Sequence, residues 1–283
     1  MHGTPGEFHV ATCPRCGAGV TLPQVGEDQL AGFYPDTYGP YDERMGSLAR
    51  IASRVIRAFQ GWNALRTAPL AALGGRSAAY GLDVGCGRGD LAALLAGRGW
   101  SMTGIEPSPA ACEVAGARGI DVRCGTLQSV ALELGHYDAA VFRRSLEHTG
   151  DPLQALRAVA NALAPGGLVL ISVPNFASWQ ARRFAGRWFH LDVPRHRVHF
   201  TPVALRRALE IAGLEVLSIS TSSSAMGLPA SVQYAQFGRC LFPDGLALRI
   251  ATGLCALTLP LTVTLDRLAG PGDTLHAVAR RPI

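Results

Sequence analysis

Charge is scarce in this chain. Asp, Glu, Lys and Arg make up 17% of its 283 residues, and no block of like charge interrupts the sequence. The net charge is +5, and its positive charge comes from arginine, with no lysine in the chain. No dense basic run interleaved with aromatics occurs, so nucleic acid is not an expected partner. The mildly basic balance suits an anionic small molecule or an anionic membrane surface. The first residues, Met1-His2-Gly3-Thr4-Pro5, lack the charged start and apolar core of a secretory leader. Cysteine is limited to seven scattered residues, an odd number, which argues against a disulfide framework and for a reducing cytoplasm.

Long hydrophobic runs are few. Leu246 to Leu265 is apolar but carries Arg249 and Pro260. A membrane span needs roughly 20 apolar residues. The run therefore reads as buried helices, as interfacial membrane contact, or as a span weakened by its charge and proline. With 48% hydrophobic residues, the chain has material for one large domain and an appendage.

What is present is alternation. Leu48, Ile51, Val55 and Phe59 fall at helical spacing, predicting a helix over 45–73. A strand over Ala78–Val84 leads to a helix over Asp90–Ala96 and a strand over Met102–Ile105. A helix over Pro109–Arg118 and strands over Val122–Cys124 and Tyr137–Phe142 follow. Then come a helix over Pro152–Leu163, a strand over Leu168–Val173, a helix over Pro202–Ala212 and strands over Leu214–Ser220 and Thr274–Ala279. Proline at several helix starts, and glycine after Leu163 and Ala212, supply start and stop chemistry. The pattern predicts an α/β, doubly wound, mostly parallel sheet with helices on both faces. It divides into an N-terminal segment over 1–44, a core over 45–220 and 273–283, and an apolar, helical insert over 221–272.

The stretch Leu82-Asp83-Val84-Gly85-Cys86-Gly87-Arg88-Gly89-Asp90 runs from strand through a glycine-rich turn into a helix. Glycine lets backbone approach a ligand closely. A second acid, Glu106, ends the next apolar stretch, where an acid accepts hydrogen bonds from both ribose hydroxyls of a nucleoside cofactor. The spacing is G-x-G-x-G. Asp90 stands where a dinucleotide fingerprint has glycine or alanine, and it would repel a pyrophosphate. Asp83 adds negative charge, so a cationic cofactor suits the site better than a nicotinamide dinucleotide.

This turn resembles the first motif of the class I S-adenosylmethionine-dependent methyltransferases. Further pieces follow in the order of the ubiquinone-biosynthesis-like subgroup. They are Gly104-Ile105-Glu106-Pro107-Ser108, Leu146-Glu147-His148 with Asp151-Pro152, Leu163-Ala164-Pro165-Gly166-Gly167, and Ser172-Val173-Pro174-Asn175. After these come Trp188-Phe189-His190-Leu191-Asp192, Pro194-Arg195-His196 and His199-Phe200-Thr201. The resemblance implies a seven-stranded Rossmann-like methyltransferase fold and S-adenosyl-L-methionine as cofactor. By position it implies Asp83, Gly85, Cys86 and Gly87 at the methionine end, Glu106 at the ribose, Pro107 beside the adenosine, and Thr126 and Leu127 at the adenine. Arg143 stands where the family sets backbone against the cofactor. Arg143 and Arg144 depart from the small or apolar residues usual there, and read either as contacts to an anionic substrate or as solvated.

For the chemistry, His148 is the first candidate base, since its pKa lies near working pH and it follows the fourth strand on the ligand side of the sheet. The alternative is a histidine that hydrogen-bonds backbone at a helix start. Glu147 either orients a histidine or lines the wall. Asn175, His190, His196 and His199, with Trp179 beside them, follow the fifth strand where the family covers its acceptor. They read as substrate contacts or as packing. A metal is not expected of the three histidines, which lack an accompanying carboxylate motif.

Cys13-Pro14-Arg15-Cys16-Gly17 resembles one knuckle of a zinc ribbon. The second pair is missing, so the plain expectation is a turn carrying two reduced thiols, with zinc the lesser reading. The sequence thus points to methyl transfer to a small-molecule acceptor, anionic, sugar-bearing or lipid-linked, with oxygen favoured over carbon. Rival readings are a non-catalytic scaffold of the same fold, peripheral to a membrane through 246–265, and a nicotinamide-dependent oxidoreductase.

Overall fold

The computed structural model of the chain describes residues 6–26, 29, 31–33, 73, 79–224, 226–238 and 259–283. The helix predicted over 45–73 lies, apart from Leu73, outside the described residues, as does 246–258 of the apolar run. The chain divides into two compact units. One comprises Met1–Arg57, Pro174–Ala204 and Thr221–Leu275, and the other Ala58–Val173, Leu205–Ser220 and His276–Ile283.

The chain enters with strands β1 (His9–Thr12) and β2 (Gly19–Leu22), an antiparallel hairpin. The alternation then begins. Strand β3 (Tyr80–Val84) leads to helix α1 (Asp90–Ala96), β4 (Ser101–Glu106), α2 (Pro109–Ala117), β5 (Asp121–Cys124), β6 (Tyr137–Arg143), α3 (Pro152–Ala162) and β7 (Leu163–Pro174). Next come α4 (Trp179–Phe184), β8 (Val198–His199), α5 (Pro202–Ile211) and β9 (Glu215–Ser222). The described chain closes with α6 (Gly227–Phe237), α7 (Leu259–Ala269) and β10 (Thr274–Arg280).

The large sheet has seven strands in the order β5-β4-β3-β6-β7-β10-β9. The pairs β3–β4, β3–β6, β4–β5 and β6–β7 are parallel. Strand β3 therefore has a parallel neighbour on each side, and everything in it after Tyr80 is buried, as expected of a strand covered on both faces. Local chemistry starts the helices. Asp151 accepts the Gln154 N–H at 2.9 Å with Pro152 at the first helical position of α3, and Ser108 caps α2 before Pro109. Leu91, Leu95, Trp100, Ile120 and Leu170 belong to one buried apolar cluster of this unit.

The junction of α3 and β7 differs from the expected glycine stop. The helix ends at Ala162, Leu163 is already extended and paired with Tyr137, and the ladder resumes at Ala139 with Leu168. Ala164-Pro165-Gly166-Gly167 therefore bulges opposite the single residue Asp138. Gly166, at φ 76°, turns the bulge rather than ending the helix.

In the other unit, β2 pairs with β8 as well as β1, giving a three-stranded sheet in the order β1-β2-β8. Helices α6 and α7 occupy the described part of the apolar stretch. On α7, Thr262 and Asp266 are buried while Leu261 and Leu268 are exposed. Asp266 accepts hydrogen bonds from Trp179 Nε1 at 2.5 Å, from Gln180 Nε2 at 3.2 Å and from Ser223 Oγ, which secures α7 through a polar group. No helix among the described residues is long and apolar enough to cross a membrane.

Candidate active site

The glycine turn lies at the carboxyl end of β3, between the ends of β4 and β6. Two successive N–H groups, of Gly85 and Cys86, donate to the Ile105 carbonyl at 2.8 and 3.0 Å, which folds the turn over the end of β4. Gly85, Gly87 and Gly89 have φ of 72°, 55° and 73°, so all three occupy the left-handed region that favours glycine. Their surroundings differ. A Cβ on Gly85 would lie 2.5 Å from Ser145 Cβ, whereas a Cβ on Gly87 would meet nothing within 4 Å. The space a side chain would need at Gly85 is therefore taken by Ser145. Ser145 also donates its Oγ to the Val84 carbonyl at 2.5 Å, so it braces the turn. Sequence reasoning missed Ser145, because nothing in its neighbours marks it as the wall behind a glycine.

Glu106 is buried at the end of β4. Its Oε2 accepts the Gly87 N–H at 2.9 Å and its Oε1 accepts the Ser108 N–H at 2.9 Å. The carboxylate thus ties the glycine turn to the start of α2. Its own carbonyl accepts from Gly125 N at 2.9 Å and from Cys112 Sγ at 3.1 Å. Asp83 is only 2% exposed. Burial pushes its carboxyl up to about 6, opposed by the Arg143 guanidinium and reinforced by the charges of Glu106 and Asp90. Arg143 is itself exposed at the end of β6, and Arg144, at φ 59°, donates its N–H to the Ser172 carbonyl at 2.8 Å.

Pro107 is exposed, while Thr126 and Leu127 are half-buried in the turn after β5. The Thr126 N–H donates to Ser129 Oγ at 2.9 Å. Glu147 is buried and His148 half-buried, both in a short 3₁₀ turn over Leu146–His148. The His148 N–H donates to the Ser145 carbonyl at 3.1 Å, which links this turn to the brace behind Gly85.

A family model described as a methyltransferase domain matches residues 55–219, more than half of the chain. The chain belongs to this methyltransferase family. It is a class I S-adenosylmethionine-dependent methyltransferase, and the nicotinamide-dependent alternative falls with that membership. A ubiquinone biosynthesis O-methyltransferase of Aeromonas salmonicida is 34% identical over 90 residues, covering 30% of this chain and 38% of that relative. The match thus spans well under half of the relative's length. Among solved structures, an S-adenosylmethionine-dependent methyltransferase from Archaeoglobus fulgidus superposes with a TM-score of 0.54 at 18% identity, covering 79% of this chain and 94% of that one. Another, from Mesorhizobium loti, gives 0.52 at 20% identity, covering 78% and 97%. At these identities the likeness is one of fold.

The residues expected to follow the fifth strand belong to the unit that contains the hairpin, and they are buried there in polar contacts of their own. Asn175 is fully buried, donating Nδ2 to the Gly272 carbonyl at 2.8 Å and accepting the Ala177 N–H at 3.1 Å. His190 Nε2 lies 3.1 Å from Ser224 Oγ and 3.2 Å from Asp273 Oδ2. His196 Nδ1 lies 2.8 Å from the His190 carbonyl oxygen. His199 Nε2 lies 2.9 Å from Thr21 Oγ1 on β2, and burial holds the ring down at about 4, hence neutral near pH 7. Arg195, with no exposed surface, pairs with Asp192 and donates to the Phe33 carbonyl at 2.8 Å. Asp273 was missed by sequence reasoning, since an aspartate beside glycine and proline reads as a turn residue.

The Cys13–Gly17 knuckle closes the β1–β2 hairpin. Cys13 N donates to the Ala18 carbonyl at 2.8 Å, Gly17 N to the Cys13 carbonyl at 2.8 Å, and Thr201 Oγ1 to the Cys16 carbonyl at 2.6 Å. Hydrogen bonds from the Arg15 and Cys16 backbone hold the Cys13 thiol below the usual cysteine range.

Proposed function

We propose that this enzyme transfers the methyl group of S-adenosylmethionine to a small-molecule acceptor, to oxygen in preference to carbon. The observation that carries the cofactor assignment is the Glu106 carboxylate closed onto the Gly87 N–H, beside a glycine whose missing side chain leaves open space. The residues present fit the group. Asp83 would hold the cationic methionine amino end, where its burial makes an unpaired charge costly. Gly85, Cys86 and Gly87 would meet the methionine moiety. Glu106 would accept the ribose hydroxyls, with Pro107 beside the adenosine and Thr126 and Leu127 at the adenine. When bound, the cofactor supplies an activated methyl on a sulfonium.

The chain's own contribution is alignment and proton removal. Holding acceptor and methyl in line is worth on the order of 7–11 kcal/mol. His148 would take the acceptor proton, with Glu147 orienting it, a role worth roughly 10²–10⁴-fold in rate. Arg143 and Arg144 suit an anionic, sugar-bearing or lipid-linked acceptor. The relative named as an O-methyltransferase supports oxygen. Asn175, His190, His196 and His199 remain proposed acceptor-side residues.

Calorimetric titration with S-adenosylhomocysteine tests the cofactor half. Wild type should bind, and Glu106→Ala should bind at least about tenfold more weakly, as for one lost charge-assisted hydrogen bond. Incubation with methyl-labelled cofactor and a panel of phenols, carboxylic acids, sugar nucleotides and activated-methylene compounds, read by mass spectrometry, tests the acceptor half. Label found only on nitrogen or on protein would reject the oxygen-first reading.

A further inference from the structure

We propose that Cys112 and Cys124 are a modification site, a dithiol that low-molecular-weight disulfides convert reversibly to an internal disulfide, and that this closure weakens binding at the ribose end of the cofactor site. The second half of the proposal rests on the cofactor reading above.

Cys112 lies inside α2 and Cys124 is the last residue of β5. Their Sγ atoms are 2.6 Å apart, far inside an ordinary sulfur–sulfur contact and close to the roughly 2.05 Å of a disulfide bond. Little movement is needed to join them. Their exposure is unequal, as a directed exchange requires. Cys124 is exposed and Cys112 is buried. Burial, and then the neighbouring Cys124 thiol, push Cys112 up to about 12, so the buried sulfur keeps its proton until a partner arrives.

The chemistry balances. The Cys124 thiolate attacks one sulfur of an external disulfide, breaking its S–S bond, and one external thiolate departs. The mixed disulfide on Cys124 is then attacked by Cys112 as it loses its proton, which forms the Cys112–Cys124 bond and expels the second external thiolate. The two cysteines are oxidised by two electrons, and the external disulfide is reduced to two thiols.

The pair is wired to the ribose carboxylate through Glu106. Cys112 Sγ donates to the Glu106 carbonyl at 3.1 Å, and Glu106 stands opposite Cys124 in the β4–β5 ladder. The residue after Cys124, Gly125, donates its N–H to the same carbonyl at 2.9 Å. Oxidation deletes the S–H donor and draws Cys124, and Gly125 with it, toward α2. Both anchors of the Glu106 backbone are thereby disturbed, while its carboxylate holds Gly87.

The experiment uses the full chain carrying Cys13→Ser and Cys16→Ser, which removes the N-terminal thiols. The protein is equilibrated with oxidised glutathione, mapped by peptide mass spectrometry and titrated with S-adenosylhomocysteine before and after dithiothreitol. The expected result is a cross-linked Cys112–Cys124 peptide pair and an affinity at least about fivefold weaker, the lower end of common coupling strengths, both reversed by dithiothreitol. A further Cys124→Ser change should abolish cross-link and affinity shift together. Glutathione found on Cys124 with no internal cross-link overturns the proposal, as does a cross-link that leaves affinity unchanged. Failure of the reduced protein to bind S-adenosylhomocysteine overturns the cofactor reading and the coupling built on it, whereas the cross-link reports on the thiol pair by itself.

Discussion

The Glu106 carboxylate accepts the N–H of Gly87 at 2.9 Å, across the turn that separates β3 from α1. One acidic side chain thereby sets the shape of the loop and stands at the place proposed for the ribose. Glu106→Gln keeps the size of the side chain but puts an amide NH₂ where one of two backbone donors now points. Loss of a hydrogen bond to a charged group costs about 1.5–3 kcal/mol. Thermal unfolding of the ligand-free protein should show that loss as a lower midpoint, and calorimetry should show weaker S-adenosylhomocysteine binding. Unchanged values in both would remove Glu106 from the loop and from the site.

Gly85 and Gly87 separate packing from binding. Gly85→Ala must accept φ 72° and a Cβ placed 2.5 Å from Ser145 Cβ. Left-handed strain alone costs roughly 1–2 kcal/mol, and the clash adds to it. Gly87→Ala bears the strain at φ 55° but meets no atom within 4 Å. Gly85→Ala should therefore lower the unfolding midpoint more than Gly87→Ala does. Gly87→Ala should lose more S-adenosylhomocysteine affinity for each degree of midpoint lost. Equal ratios in the two variants would count against open space above Gly87 being ligand space.

The parts of the fold written in local chemistry were legible from sequence. Helix α1 spans the predicted Asp90–Ala96, and Pro109 and Pro152 start α2 and α3 where proline at a first helical position belongs. The parts set by distant partners were not. Ser145 braces Val84 from 61 positions away, and no local pattern announces it. Strand β8 has two residues, too short for any alternation, so the three-stranded sheet that holds β2 against Val198–His199 left no trace in periodicity. The bulge over Ala164–Gly167 read as a helix stop because glycine serves both ends. Asp266 lies in a stretch read as apolar and Asp273 just beyond it, yet their carboxylates receive Trp179, Ser223 and Ser224. Buried carboxylates of this kind are specified by their donors, which lie far away in sequence.

His199 couples pH to the stability of the hairpin unit. Burial lowers its pKa from 6.5 to about 4. A depressed folded-state value favours the native state above the unfolded pKa and loses that contribution as pH falls through the folded one. The window therefore runs from about 6.5 down to about 4, and the loss amounts to about 3 kcal/mol at most. His199→Gln, uncharged throughout, should have a flatter pH–stability curve over that window. Parallel curves for variant and wild type would show that His199 is solvated enough to titrate normally.

Asp83 carries the opposite sign. Its carboxyl is raised from 3.8 to about 6, chiefly by burial. A raised value favours the native state below the unfolded pKa, and this benefit disappears as pH rises through about 6. Above that pH the ligand-free protein bears a buried charge at a cost of up to about 3 kcal/mol. Asp83→Asn should therefore match wild type below pH 4 and exceed it in thermal stability near pH 8. S-adenosylhomocysteine should respond the other way, since its ammonium needs the ionised carboxylate. Wild-type affinity should fall as pH drops through about 6, and Asp83→Asn should bind weakly at every pH. A variant that is more stable yet binds worse is the signature of a charge kept for its ligand against the preference of the fold. If the asparagine variant instead bound as tightly as wild type at pH 8, the buried carboxylate would have no part in holding the amino end, and the cationic-cofactor argument would lose its central residue.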